Sequence, residues 1–292
     1  MTLEIGILLA LICAFLANLG FFYKHRGANA APKVDLRHPL RSGRDLFASK
    51  WFTIGMVVAT ASWAFHVAAL ALAPMSVIQV TLAAGVVFIA VMADRLFGFE
   101  VGRRQWWGLF LTAIGLALLG LTLPSLHGAH SHFSQAAMIS FETGLFGLGG
   151  LLIMGPRMGG PVEHHGVMLG AASGILFGVS DTAIKALTGI THADGVLALV
   201  LSPWLLVAVL ASIVAFYASA RGLQDGDAVP VIAVTGTAAN IAGIAGGILV
   251  FGDPMPATAL GVVVQSFAFV LVIVASALMP APVRSAGLAP AV

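Results

Sequence analysis

Asp181 and Lys185 stand four residues apart inside one apolar stretch, so on a helix they share a face. Ionisable side chains in such stretches are costly, which makes each a candidate for function. The pair reads two ways: an ion pair that neutralises itself while the long Lys185 chain reaches outward, or a carboxylate and an ammonium that meet a substrate or carry a proton. Glu142 lies about 8 Å inside another apolar stretch at 1.5 Å per residue. It is either an ion or substrate ligand or a solvated carboxylate at the edge. By the same rise, His66, Gln79, Glu142 and Asp181 all fall within about 5 to 12 Å of one end of their stretches. Shared depth is what a polar cavity inside an apolar bundle needs. Asn240 and Gln265 lie nearer the middle and extend the set inward. Taken singly, His66, Asn240 and Gln265 each fit an interhelical hydrogen bond as well as a ligand contact. Together the seven form the candidate substrate- or ion-binding set.

Other groups carry weaker chemistry. His127, His130 and His132 form H-x-x-H-x-H, and His164-His165 follow Glu163. Imidazole suits transition metals, but nothing in the sequence fixes these residues, and a polar loop is the preferred reading. Asn18 is a pore residue or a packing amide. Cys13 is the single cysteine, which excludes an internal disulfide and a cysteine-rich metal site. There is no P-loop, nucleophile elbow or zincin motif, so the chain is expected to be no enzyme and to need no cofactor.

These residues need long apolar elements to position them. Of 292 residues, 59% are hydrophobic and 9% charged, and the mean hydropathy is +1.01. That is more apolar surface than a soluble core buries. The runs are continuous rather than alternating, which predicts an all-α polytopic membrane protein and not a barrel. Nine spans are expected, near 3–23, 51–73, 76–96, 105–123, 137–155, 167–189, 196–220, 229–250 and 257–279. The loop 24–50 carries seven basic residues, Lys24, Arg26, Lys33, Arg37, Arg41, Arg44 and Lys50. Placed inside by the positive-inside rule, it puts the N-terminus outside and the C-terminus in the cytoplasm. Alternation then brings Arg95, Arg103, Arg104, Arg157, Arg221 and Arg284 to the same side; Lys185 alone lies near an outer end. The segment 42–51 is expected to begin an interfacial helix with Ser42 as N-cap. Small residues in 144–150 and 239–247 predict close helix approach. The richness in Ala, Gly and Val fits a bacterial inner membrane.

At one ungapped offset of 153 residues, Trp51 matches Trp204, Leu70 matches Leu223, Leu96 matches Leu249, Glu100 matches Asp253 and Gly108 matches Gly261. Five spans separate the copies, an odd number, so the halves enter the membrane in opposite senses. The expected organisation is a first repeat over 1–136, an unpaired linking helix at 137–155, an inverted second repeat over 156–280 and a disordered tail at 281–292. Ala69-Leu70 followed by Gly98, Glu100 and Gly108, and Gly222-Leu223 followed by Gly252, Asp253 and Gly261, resemble EamA-type repeats of the drug/metabolite transporter superfamily. That resemblance implies a fold of ten helices in two inverted sets, here without the first helix. A nine-helix layout with Lys24, His25, Gly27, Pro39-Leu40 and Ala71-Leu72-Ala73-Pro74 also resembles NIPA-type magnesium transporters, although Val80-Thr81-Leu82-Ala83 departs from that branch.

The expected function is a secondary transporter of a small polar or cationic solute working by alternating access. Two alternatives stand beside it. One is a Mg²⁺ transporter, in which Glu142 and Asp181 hold the ion and Lys185 argues against it. The other is a non-transporting scaffold or receptor whose basic surface meets anionic lipid or a partner. The expected partners are a small solute or cation and the bilayer, with no nucleic acid; a homodimer is left open.

Overall fold

Long apolar runs fold as helices in the described part of the chain, with Pro203 opening one of them and Gly195 and the extended Ala73 and Gly226 among the residues that end them. The computed structural model describes residues 2–35, 37–83, 85, 88, 92, 103–122, 131–159, 161, 164–253 and 255–277. Its elements are α1 (Thr2–Asn29), α2 (Pro39–Phe47), α3 (Lys50–Leu72), α4 (Met75–Ala83), α5 (Arg103–Thr122), α6 (Gln135–Met154), a 3-10 turn (Gly155–Met158), α7 (His165–Asp194), α8 (Val196–Leu201), α9 (Pro203–Asp225), α10 (Ala228–Leu249) and α11 (Ala259–Ala277). No strand occurs among the described residues. Among the described residues, six helices are long and apolar enough to cross a membrane: α1, α3, α6, α7, α9 and α10. Leu96, Gly98, Glu100, Arg95, His127, His130, Glu163, Arg284 and the tail 281–292 lie outside the described residues.

Along the middle of α9 the usual pattern of a soluble helix is inverted. Its buried positions are Trp204, Ala208, Ala211, Ala215, Ala218, Ser219, Ala220, Gly222 and Leu223, small between the two large residues at its ends, while Leu206, Val209, Leu210, Ile213 and Val214 are exposed. Small residues let backbones approach, and large aliphatic ones face outward where hydrocarbon would receive them. At the centre is α7, packed against α9, α10, α6 and α3. Its Gly166, Gly170, Gly174 and Gly178 recur every fourth residue, and a Cβ there would meet Gly226, the Val231 carbonyl, the Thr235 carbonyl and Ala242. Ser173 Oγ donates to the Ala215 carbonyl at 2.9 Å, and Ser180 Oγ meets Ser212 Oγ at 2.8 Å. The other main packings are α1 on α3, α5 on α11 and α4 on α10.

Three sequence expectations change. The span at 196–220 is broken, because Pro203 biases Ser202 to an extended backbone (φ −72°, ψ 131°). Ser202 Oγ then caps α9 by accepting from Trp204 N at 3.4 Å. Ser42 is not an N-cap: α2 starts at Pro39, and Ser42 Oγ sits buried inside it, accepting from Asp35 N at 2.9 Å. In the stretch 144–150, Gly149 packs on Leu176, but a Cβ on Gly144, Gly147 or Gly150 would meet nothing within 4 Å. The face carrying those three glycines points away from the bundle. The small residues at 239–247 do pack closely, with Gly243 on Gln79 and Gly246 on Thr182 and Phe141.

Gly174→Ala is therefore expected to destabilise the bundle by about 1–3 kcal/mol, read as a lower unfolding temperature in detergent. Gly144→Ala should leave it unchanged or slightly raised; equal behaviour of the two variants would contradict this packing.

Candidate functional site

Helix α3 must stop before Pro74, which has no amide hydrogen to give the Leu70 carbonyl. Ala73 is extended (φ −141°, ψ 162°), and α4 restarts at Met75. The break leaves acceptors at the end of α3 and donors at the start of α4. Both ends are satisfied from elsewhere in the bundle, one from α7 and one from the turn after α10. Lys185 Nζ of α7 donates to the carbonyls of Leu70 (2.7 Å) and Ala73 (2.9 Å). Asp253 Oδ2 accepts from Ser76 N at 2.7 Å. A cation thus sits on the negative end of α3 and an anion on the positive end of α4, the arrangement the helix dipoles favour. Lys185 is 0% exposed and Asp253 4%. Lys185 does not reach outward to solvent.

Local geometry explains how Asp253 gets there. After α10 the chain turns on Gly252 at φ 63°, a left-handed conformation suited to glycine, and Asp253 N donates to the Gly247 carbonyl at 2.9 Å. Gly247 must also lack a side chain, since a Cβ would stand 2.5 Å from Asp253 Oδ2 and 2.8 Å from Ser76 N. The Gly-Asp step of the sequence is a cap on another helix.

One helical turn from this clamp lies the second layer. Asp181 is one turn before Lys185 on α7, and His66 one turn before Leu70 on α3, about 6 Å along the axis. His66 Nε2 stands 3.0 Å from Asp181 Oδ1, off the line of an aligned hydrogen bond. Gln79 Nε2 of α4 donates to Asp181 Oδ2 at 3.0 Å. Three helices therefore converge on one carboxylate. His66 (6% exposed) and Gln79 (0%) are buried, whereas the Asp181 side chain keeps 16% exposure. Beside His66, Ser62 Oγ donates to the Cys13 carbonyl at 2.9 Å and joins α1 to the site. The sequence reading passed over that link, since a serine one turn from a histidine carries no spacing signal.

The remaining candidates are not drawn into this cluster by any contact among the described residues. Glu142 on α6 is 4% exposed with both carboxylate oxygens unpartnered, which is no solvated edge. Gln265 on α11 is 2% exposed, and its Oε1 is also unpartnered. Asn240 is half-buried on α10, three residues from Gly243, which touches Gln79. Asn18 is a packing amide, donating to the carbonyls of Ala14 (2.8 Å) and Gly85 (3.0 Å). No three His, Cys, Asp or Glu side chains come together as a metal site among the described residues, and His132 is exposed.

A second clamp closes the other end of the bundle, where Gly27 of α1 meets Phe52, opposite the end where Gly6 meets Ala73. There the segment after α1 is held by the end of α9. Gln224 Nε2 donates to the carbonyls of Ala28 and Pro32, both at 3.0 Å, Arg221 Nη1 donates to the Val34 carbonyl at 2.7 Å, and Lys33 Nζ meets Asp225 Oδ1 at 3.2 Å.

Lys185→Met is expected to destabilise the protein by about 3 kcal/mol or more, because it strips two buried carbonyls and leaves a buried acid nearby. Asp253→Asn keeps an acceptor for Ser76 N and should cost about 1 kcal/mol. Unfolding temperatures of the purified variants in detergent measure both, and a larger loss for Asp253→Asn would contradict the assignment. Comparison of the chain with family models, curated proteins and solved structures gives no match.

Proposed function

We propose that this chain is a secondary transporter that moves a small polar or cationic solute by alternating access, with Asp181 as the binding carboxylate. The observation that carries this reading is the buried His66–Asp181–Gln79 cluster, built from three helices in a bundle whose outward faces are apolar. A charged group retained there at high solvation cost calls for a role. The unpartnered atoms at and next to the cluster bear on the solute's chemistry. Gln79 Oε1 and, one turn away, Asp253 Oδ1 are buried acceptors, beside the ring nitrogens of His66, which also lack an aligned partner. Carboxylate and amide oxygens left in this way favour a ligand that brings positive charge or N–H and O–H groups.

The inverted-repeat reading of the drug/metabolite transporter type draws support from two features. Lys50–Leu72 and Pro203–Asp225 begin and end 153 residues apart, the offset of the sequence matches, and Met75 and Ala228 open the next helices at the same offset. The same packing also recurs in each half, α1 on α3 as α7 on α9. In each half the end of one hairpin is held by the helix that precedes the other, by Lys185 at Leu70 and by the segment after α1 at Gln224. Releasing one clamp while the other holds would open Asp181 to one side at a time. A magnesium role has less support, because a hydrated, oxygen-seeking ion would have to displace an imidazole and an amide nitrogen from Asp181.

Uptake into proteoliposomes, screened over metal cations, amino acids and organic cations at two pH values, tests the proposal. At least one solute should accumulate with the wild type, and Asp181→Asn should reduce its uptake by about a hundredfold or more while the protein still inserts and stays folded. Uptake unchanged in Asp181→Asn would reject the assigned role.

A further inference from the structure

The helix α2 lies between two helices long enough to span a bilayer, so it is held where their ends meet the interface. One of its faces is explained by the fold. Ser42 and Leu46, one turn apart, are buried; Leu46 joins the cluster of Phe22, Phe52 and Leu223, and Tyr217 Oη donates to the Pro39 carbonyl at 2.8 Å. The opposite face is not explained by anything in the bundle. Leu40 is 88% exposed, and Phe47, which meets Phe52 edge-on and stacks on Phe216, is still 47% exposed. At about 100° per residue, Leu40 and Phe47 point within about 20° of each other, with Arg44 and Arg41 next to them around the helix. Arg41 and Arg44 are exposed, as are Arg37 just before the helix and Lys50 just after it. At the same level Trp51 stacks on Tyr23 (5.7 Å) and carries Arg26 at 4.1 Å over its ring, an aromatic and basic pairing suited to the headgroup region.

We propose that this exposed face of α2 is a docking site for anionic phospholipid headgroups, with Leu40 and Phe47 inserted among the upper acyl carbons and Arg37, Arg41 and Arg44 on the phosphates. Charge complementarity selects the occupant: a short helix with two apolar side chains gains too little from insertion alone, and basic residues at a negative leaflet supply the rest. The consequence reaches the end of the bundle. Asp35 joins α2 to the preceding segment through Ser42, and that segment, 28–34, is what Gln224 and Arg221 hold. Lipid bound to α2 therefore steadies the clamp on α9.

The test uses the full chain in vesicles of phosphatidylcholine alone and with rising phosphatidylglycerol. The single native cysteine, Cys13, is buried, so Leu40→Cys supplies the accessible thiol for an environment-sensitive fluorophore, and Leu206→Cys on the exposed face of α9 serves as a reference. Quenching by lipids spin-labelled near the headgroup should rise with phosphatidylglycerol for the label at 40 and stay constant for the reference. Arg37→Gln, Arg41→Gln and Arg44→Gln combined, or high salt, should raise the phosphatidylglycerol fraction needed for half-maximal quenching several-fold. Quenching at 40 that is absent, or equal in both vesicle types and indifferent to the arginines, overturns the proposal. So does shielding of the label in detergent that depends on protein concentration, since a second copy would then cover the face.

Discussion

The carbonyl of Leu70 lacks a partner from its own helix because residue 74 is proline, and a buried lysine from α7 takes the place of the missing amide. That substitution sets the geometry of one whole end of the bundle. It fixes α7 against α3 at a definite height, so Asp181 and His66, each one turn away, arrive at the same level. It creates a free helix start at Met75, whose amide at Ser76 recruits Asp253 and with it the turn after α10. Gln79, one turn into α4, then reaches the carboxylate that the lysine's own helix presents. A continuous helix through residue 74 would have offered neither end, and the charges that now satisfy them would have no reason to be buried.

The energetics make such a site affordable only in this kind of bundle. Most large side chains along the middle of α9 face outward, so its inner face there is built from Ala and Ser, and the facing side of α7 from Gly and Ser, which bring the backbones close and leave hydroxyls and carbonyls within reach of one another. Charges placed among them find donors and acceptors on the neighbouring helices. The four glycines of α7 spaced four apart bring α10 close enough for Thr235 Oγ1 to donate to the Gly170 carbonyl. Tight packing and polar convergence are thus one property of the small-residue interior.

Depth along a helix was readable from the sequence; direction around it was less so. A constant rise places His66, Gln79 and Asp181 at one level, and in the structure His66 and Gln79 both reach the Asp181 carboxylate. Glu142 shares the level by the same count and is buried on α6, but no contact among the described residues joins it to them. Lys185 was visible as a partner for Asp181 on its own helix, yet its reach to Leu70 depends on tertiary placement that i,i+4 spacing does not encode. Pro74 was the signal that a carbonyl nearby would need a donor. Likewise Pro203 was the signal for the break between α8 and α9, hidden by the continuity of hydropathy across it.

The proposed transport role requires Asp181 to lie on a pathway open in turn to each side of the membrane. With Cys13 buried, Asp181→Cys in oriented proteoliposomes can be challenged with a membrane-impermeant thiol reagent added to one side or to the other. The account predicts labelling from both sides, slowed by the transported solute. A thiol at 181 that reacts from neither side, or from one side only whatever the conditions, would contradict it.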